Sequence, residues 1–154
     1  MMQILDLKNE PWHISTLAHW HHHEWSSLNP GRTIDQRIEY MQSYLSDDLV
    51  PSTFIAKGPH LMGSAAITDH DMDTRPQLTP WLASVFVAPE FRNQGVGSHL
   101  VKHVMQKAKD TGIETLYLFT PDRASFYEKL GWKILDNEEY RGHAVTVMSV
   151  KLLE

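Results

Sequence analysis

Val85-Phe86-Val87-Ala88-Pro89-Glu90-Phe91-Arg92-Asn93-Gln94-Gly95-Val96-Gly97-Ser98 is the stretch whose reading decides the fold of this chain. It reads as a buried strand, a short extended turn, an Arg-x-x-Gly-x-Gly loop and the start of a helix. The helix continues through His99-Leu100-Val101-Lys102-His103-Val104-Met105, with apolar residues at helical spacing. A glycine pair at a helix N-terminus lets the backbone approach an anion closely. The first-turn N–H groups have no partner inside the helix and sit at the positive end of its dipole. Such a terminus suits a phosphate or pyrophosphate.

Three phosphate-binding patterns compete for this loop. A P-loop needs Lys and then Ser or Thr after its last glycine, whereas Gly97 is followed by Ser98 and His99. A dinucleotide fingerprint needs a third glycine, tight against its strand, with an acid about twenty residues on. Glu114 stands near that distance, but the third glycine position is Leu100, and Ala88 to Gln94 separate strand from glycine. The acetyl-coenzyme-A loop, Arg/Gln-x-x-Gly-x-Gly/Ala, is met in full by Arg92, Gly95 and Gly97, and by the preceding Val-x-Val-x-Pro-Glu.

A second segment points the same way. Ser125-Phe126-Tyr127-Glu128-Lys129-Leu130-Gly131-Trp132 closes a short helix on a glycine C-cap and enters a strand. Together the two segments resemble the GNAT superfamily of acyl-CoA-dependent N-acetyltransferases, whose members carry a Tyr-Glu-Lys-Leu-Gly-aromatic ending of this kind. The likeness covers most of the chain and is most specific from about Leu82 to Ile134. The N-terminal third matches only in its pattern of elements.

Composition agrees with one compact α/β domain over residues 1–154. A chain of this length buries about 70% of its unfolded surface. Its net charge of −5 argues against general nucleic-acid affinity and suits a cationic amine. It has no cysteine, which excludes disulfides, thiolate metal sites and a cysteine-acyl intermediate. No run approaches the roughly 20 apolar residues of a membrane span. The N-terminus lacks the regions of a signal peptide, and a cytoplasmic location is the expectation. The reading leaves room for a homodimer.

The predicted elements are a strand over Gln3–Lys8 and a helix over Pro11–Ser26. Thr33-Ile34-Asp35-Gln36 is a capping box opening a second helix, with Ile34, Ile38, Met41 and Leu45 on one face. Strands follow over Ser52–Lys57, Leu61–Thr68 and Trp81–Val87, and a helix over about Gln94–Asp110. Glu114–Phe119, a short helix ending at Leu130, Trp132–Leu135 and His143–Lys151 complete the chain. The order β-α-α-β-β-β-α-β-α-β-β gives a mixed sheet with helices on both faces, the GNAT fold that the resemblance also implies. In that fold the central strand and the strand after the long helix splay apart, and substrate and cofactor meet between them.

The resemblance implies roles for particular residues. The backbone N–H of Val85 faces the thioester carbonyl and stabilises the oxyanion. Val87 pairs with the pantetheine arm, next to Phe86 on the same strand, and the N–H groups of Asn93, Gln94, Gly95, Val96, Gly97 and Ser98 hold the pyrophosphate. Arg92 supports the loop or a phosphate. Tyr127 is the side chain expected to meet the departing thiolate. Some members use a strand glutamate as base, but that position here is Trp81, so Glu24, His22 and Asp69 are the candidates, with Glu24 placed to reach the acceptor cleft. Trp20, Trp25 and Trp81 are candidates for lining it, with core packing the default for at least one of them.

His19, His22 and His23, and His99 with His103, have spacing that a metal could use, but neither set is completed by a third ligand. Both read as solvated helix faces, and Asp69, Asp71 and Asp73 as an exposed acidic loop. The favoured function is acetyl transfer from acetyl-CoA to a primary amine, small or peptidic, by direct attack in a ternary complex, with no metal. The alternative is a non-catalytic acyl-CoA-binding sensor, and a histidine metal-binding protein is a weaker third class.

Overall fold

A computed structural model describes residues 2–153. Eleven strands and α-helices follow in the predicted order. They are β1 (Gln3–Asp6), α1 (Ile14–Trp25), α2 (Ile34–Gln42), β2 (Ser52–Lys57), β3 (Leu61–Thr68), β4 (Trp81–Val87), α3 (Val96–Asp110), β5 (Thr115–Thr120), α4 (Ala124–Glu128), β6 (Lys133–Tyr140) and β7 (His143–Lys151). A 3-10 turn at Pro11–His13 leads into α1, so the proline sits where its missing N–H costs nothing. Thr33 and Gln36 form the predicted reciprocal capping box at the start of α2.

The strands form one seven-stranded sheet in the order β1-β2-β3-β4-β5-β7-β6. Every neighbouring pair is antiparallel except β4 and β5. That parallel pair shares a single ladder position, Trp81 with Tyr117, and then separates. The longest helix, α3, lays Val96, Leu100, Val101, Val104 and Ala108 onto Leu82, Leu116, Leu118 and Met148. On α1 and α2, Ile14, Leu17, Ala18 and Met41 form a second cluster with Leu7 and Ile55. A third, smaller cluster joins Met72, Trp81, Tyr140, Val145 and Val147 at the other end of β4.

Two backbone features shape β4. Gly63 on β3 lies opposite Val87, and a Cβ there would come within 2.3 Å of the Phe86 carbonyl oxygen. Only glycine permits that approach. Farther along, Ala66 pairs with Ala83 and Ser64 with Phe86, so Ser84 and Val85 together oppose the one residue between, Ala65. This is a bulge, and Ser84 adopts a left-handed φ of 52° within it.

Gly63→Ala should therefore force β3 and β4 apart and cost about 1–3 kcal/mol, the usual range for overpacking. Urea denaturation of the two proteins measures this directly, and an unchanged midpoint would contradict the close approach.

Candidate active site

The parting of β4 and β5 opens a cleft of about 750 Å³ along the C-terminal half of β4. The Ala88 N–H donates to the Met62 carbonyl of β3 at 2.8 Å. Alternation along the strand then turns the N–H and C=O of Val87, and those of Val85 two residues earlier, away from β3. They face the side that β5 has left. Val85, Phe86 and Val87 all border the cleft.

At one end of the cleft stands the glycine loop. The backbone turns left-handed at Asn93 (φ 63°) and again at Gly95 (φ 82°). Such turns gather backbone N–H groups into a concavity that suits an anion. Gly95 is the N-cap of α3 and supplies no side chain to cap it, so the first-turn donors stay available. Arg92 donates from Nε to the Val87 carbonyl at 2.8 Å and stacks its guanidinium over the Phe86 ring, closing the loop onto the strand. Asn93, Gly95, Val96, Gly97 and Ser98 border the cleft, whereas the Gln94 side chain folds back to the Glu90 carbonyl.

Tyr127 lies in the opposite wall, on α4, between the rings of Phe126 and Trp132. It is 7% exposed, and its hydroxyl has no hydrogen-bond partner among the described residues. Burial holds the hydroxyl well above the ordinary tyrosine value near 10, with Arg123 opposing the shift weakly. The group therefore keeps its proton across the neutral and mildly basic range.

Of the three candidate bases, Glu24 borders the cleft and His22 and Asp69 do not. The Glu24 carboxylate lies 3.9 Å from the Arg92 guanidinium, which ties α1 to the loop. Of the three tryptophans, Trp25 lines the cleft, Trp20 packs on Phe86 from behind, and Trp81 is fully buried with its Nε1 donating to the Leu78 carbonyl. His103 also departs from the solvated reading: it is half-buried, edge-on to Phe54. Among the described residues no three His, Asp or Glu side chains converge as metal ligands would.

The bulge is held by a polar circuit whose key members the sequence pattern did not single out. His21 is 1% exposed and lies between Ser64 and Arg37. Arginine can only donate, so Arg37 donates to His21 Nδ1 at 2.7 Å, and His21 must carry its proton on Nε2. That proton goes to Ser64 Oγ at 2.8 Å, and Ser64 Oγ donates in turn to the Ser84 carbonyl at 3.1 Å. Arg37 also donates to Ser84 Oγ at 3.0 Å. The left-handed Ser84 is thus gripped at both its carbonyl and its hydroxyl, one residue before Val85.

Asp71 is the second correction to the sequence reading. It does not stand on an exposed acidic loop: it is half-buried and turns into the far end of the cleft, near Tyr40 and Tyr44. Burial pushes its carboxyl up to about 6, against the opposing charges of Arg37, Arg141 and Arg32.

The family description "Acetyltransferase (GNAT) family" matches residues 14–132. A curated relative from Prochlorococcus marinus, named "Uncharacterized N-acetyltransferase ycf52-like", is 35% identical over 79 residues. That match takes in 51% of this chain and 41% of the relative, so the chain spans less than half the length of that protein. Among solved structures, an aminoglycoside 6'-N-acetyltransferase complexed with coenzyme A superposes with a TM-score of 0.76 at 16% identity, covering 100% of this chain and 98% of that one. An N-acetyltransferase from Staphylococcus aureus Mu50 gives 0.73 at 18% identity, covering 99% of each.

The circuit makes a pH prediction. Burial first, and the Arg37 charge second, hold the His21 imidazole well below its ordinary 6.5. The folded state therefore binds fewer protons here than the unfolded state, and stability rises with pH through this window. The contribution is complete above about 6.5 and is lost as pH falls below it. Asp71 acts in the opposite sense, its raised value costing stability as pH climbs from 3.8 through about 6. The difference between wild type and His21→Gln isolates the imidazole. Denaturation midpoints of the two should converge as pH falls from 7 to 5, and a constant gap would rule out a neutral buried His21.

The match over residues 14–132 and the shared fold carry the conclusion that this chain belongs to the GNAT family of acetyltransferases.

Proposed function

We propose that this protein transfers acetyl from acetyl-CoA to a primary amine by direct attack within a ternary complex. The observation that carries this reading is one continuous cleft. It runs from the uncapped α3 N-terminus, past the unpaired edge of Val85 and Val87, to the polar end around Asp71, with Tyr127 in its wall.

The loop from Arg92 to Ser98 holds the pyrophosphate through its backbone N–H groups. Val87 and Val85 offer the pantetheine arm an edge to pair with, as an added strand would. The Val85 N–H lies where the thioester carbonyl gathers charge on attack, a fixed donor that costs no reorganisation at that moment. The amine nitrogen bonds to the acetyl carbon, and the carbon–sulfur bond then breaks. Nitrogen gives up one proton and sulfur gains one. An acceptor arriving as ammonium releases a second proton before attack, and Glu24, at the α1 side of the cleft, is the candidate to receive it.

Tyr127 donates its hydroxyl hydrogen to the departing sulfur. A thiol of this kind has a pKa of about 8.5, taking cysteine as its guide. A tyrosine raised by burial is a much weaker acid than that thiol. Its contribution is therefore a hydrogen bond that stabilises the thiolate as it leaves, and sulfur gains its proton from solvent, which takes up the one that nitrogen gives up. With no cysteine in the chain, no thioester to the enzyme intervenes.

Tyr127→Phe should lower kcat by up to about 10²–10³-fold, the usual worth of one fixed donor to a developing charge, with little change in acetyl-CoA affinity. Because the hydroxyl titrates above 10, any basic limb it causes must also lie above that pH. Full activity in a folded Tyr127→Phe would reduce the residue to a packing role, and full activity in Glu24→Gln would remove that carboxylate from the chemistry.

Gly97→Val should weaken acetyl-CoA binding strongly in calorimetry. A Cβ at this position already lies 3.4 Å from Phe126 and 3.5 Å from Val87, so the added methyl groups crowd the cleft where the pyrophosphate approaches. Unchanged affinity, or tighter binding of NAD than of acetyl-CoA, would sink the cofactor assignment.

A further inference from the structure

Resting on the acetyl-transfer reading, we propose that the acceptor is an amino carboxylate, a primary amine bearing a carboxylate that Arg32 and Arg37 receive. The end of the cleft beyond Val85 is bordered by these two arginines and by Tyr40, Tyr44 and Asp71. Arg37 is 8% exposed, and its Nε is sealed from solvent without a hydrogen-bond partner. Its terminal nitrogen is spent on two neutral groups, His21 and Ser84. Among the described residues, neither Arg32 nor Arg37 has a carboxylate within ion-pair distance. Both guanidiniums lie over the same Tyr40 ring, at 5.0 and 5.6 Å from its centre. Arg141, which also borders this end, is already taken up by Asp73 and by Leu28 and Asn29.

Asp71 lies in the field of Arg37 but beyond ion-pair distance, and a buried cation with no carboxylate in contact costs several kcal/mol. One aromatic face offsets only part of that cost for two like charges. An incoming carboxylate supplies what is missing, and a guanidinium binds it with charge-assisted hydrogen bonds. Asp71 is the carboxylate at this same end, and it has no ion pair of its own among the described residues. It complements the ammonium of the same ligand. The end thus presents two positive groups and one negative, which matches a zwitterion with a carboxylate and opposes a polycation.

The test is calorimetry on the coenzyme-A-saturated protein. The titrants are the standard L-amino acids, the α-carboxamide of each one that binds, and spermidine. At least one amino acid should bind, about tenfold or more tightly than its carboxamide, since a hydrogen bond to a charged group is worth that ratio or more. Arg32→Gln should erase the preference while coenzyme A still binds. It tests the site without disturbing the circuit that Arg37 serves. The proposal is overturned if no amino acid binds, if spermidine or the carboxamides bind as well as the amino acids do, or if Arg32→Gln leaves the ratio unchanged. Free-thiol release from acetyl-CoA, followed with the same titrants, separates the two readings. Amino-acid binding without thiol release would remove the enzyme and keep the site. Thiol release with spermidine alone would keep the enzyme and remove the site.

Discussion

β4 and β5 share one ladder position, Trp81 with Tyr117, and then diverge, which leaves the backbone groups of Val85 and Val87 with no strand to pair on that side. Buried N–H and C=O groups are rarely left unpaired, because each orphan costs about as much as a lost hydrogen bond. These two residues border the open cleft instead, with the Val87 carbonyl already taken by Arg92, so the edge stays free for a partner. Much of the surrounding structure keeps that edge open and in register. Arg92 occupies the Val87 carbonyl from the side, the Gly63 approach draws β3 tightly against β4, and α3 holds the pair from one face.

The same edge needs a bend, and the bend is secured by polar rather than apolar contacts. Ser84 in a left-handed conformation is unfavourable for a residue with a side chain. It persists because His21, Ser64 and Arg37 close around it with consistent donors and acceptors. Buried networks of this sort specify geometry when fully satisfied and are costly when one member is lost. Here satisfaction is complete except at Arg37 Nε, which is sealed from solvent, and in the charge of Arg37, a residue that borders the cleft.

What could be read from the chain beforehand follows a physical divide. Strands β2, β3, β4 and β7 have the bounds their apolar runs and turns indicate, and the glycine loop and the Tyr127 segment stand where their local patterns place them. These features are encoded within a few residues of themselves. His21 and Arg37 are not. Helical spacing sets both on the inward faces, His21 seven residues after Ile14 and Arg37 three after Ile34, but their polar type reads as solvated, and the second helix stops at Gln42, short of the Leu45 expected on its stripe. Their burial depends on Ser64, 43 residues from His21, and on Ser84, 47 residues from Arg37. No window over the sequence sees those partners. Asp71 was hidden in the same way, because alternating aspartates read as solvated until the fold closes the cleft around the middle one.

Besides the buried Met72, the segment that carries Asp71 is fastened by charges. Arg75 bridges it to Asp136 and Glu138 on β6, and Arg141 reaches back from the β6–β7 turn to Asp73. The glycine-loop end, by contrast, is made of backbone N–H groups, a helix terminus and glycines. Ions in solution screen the first kind of fastening within a Debye length of about 8 Å at physiological strength, whereas the second is fixed by main-chain geometry. The two ends of one cleft thus obey different rules of change. Side chains around Asp71 can be exchanged one at a time to reshape that end of the cleft, while the glycine loop at the other end, written in main chain, stays as it was.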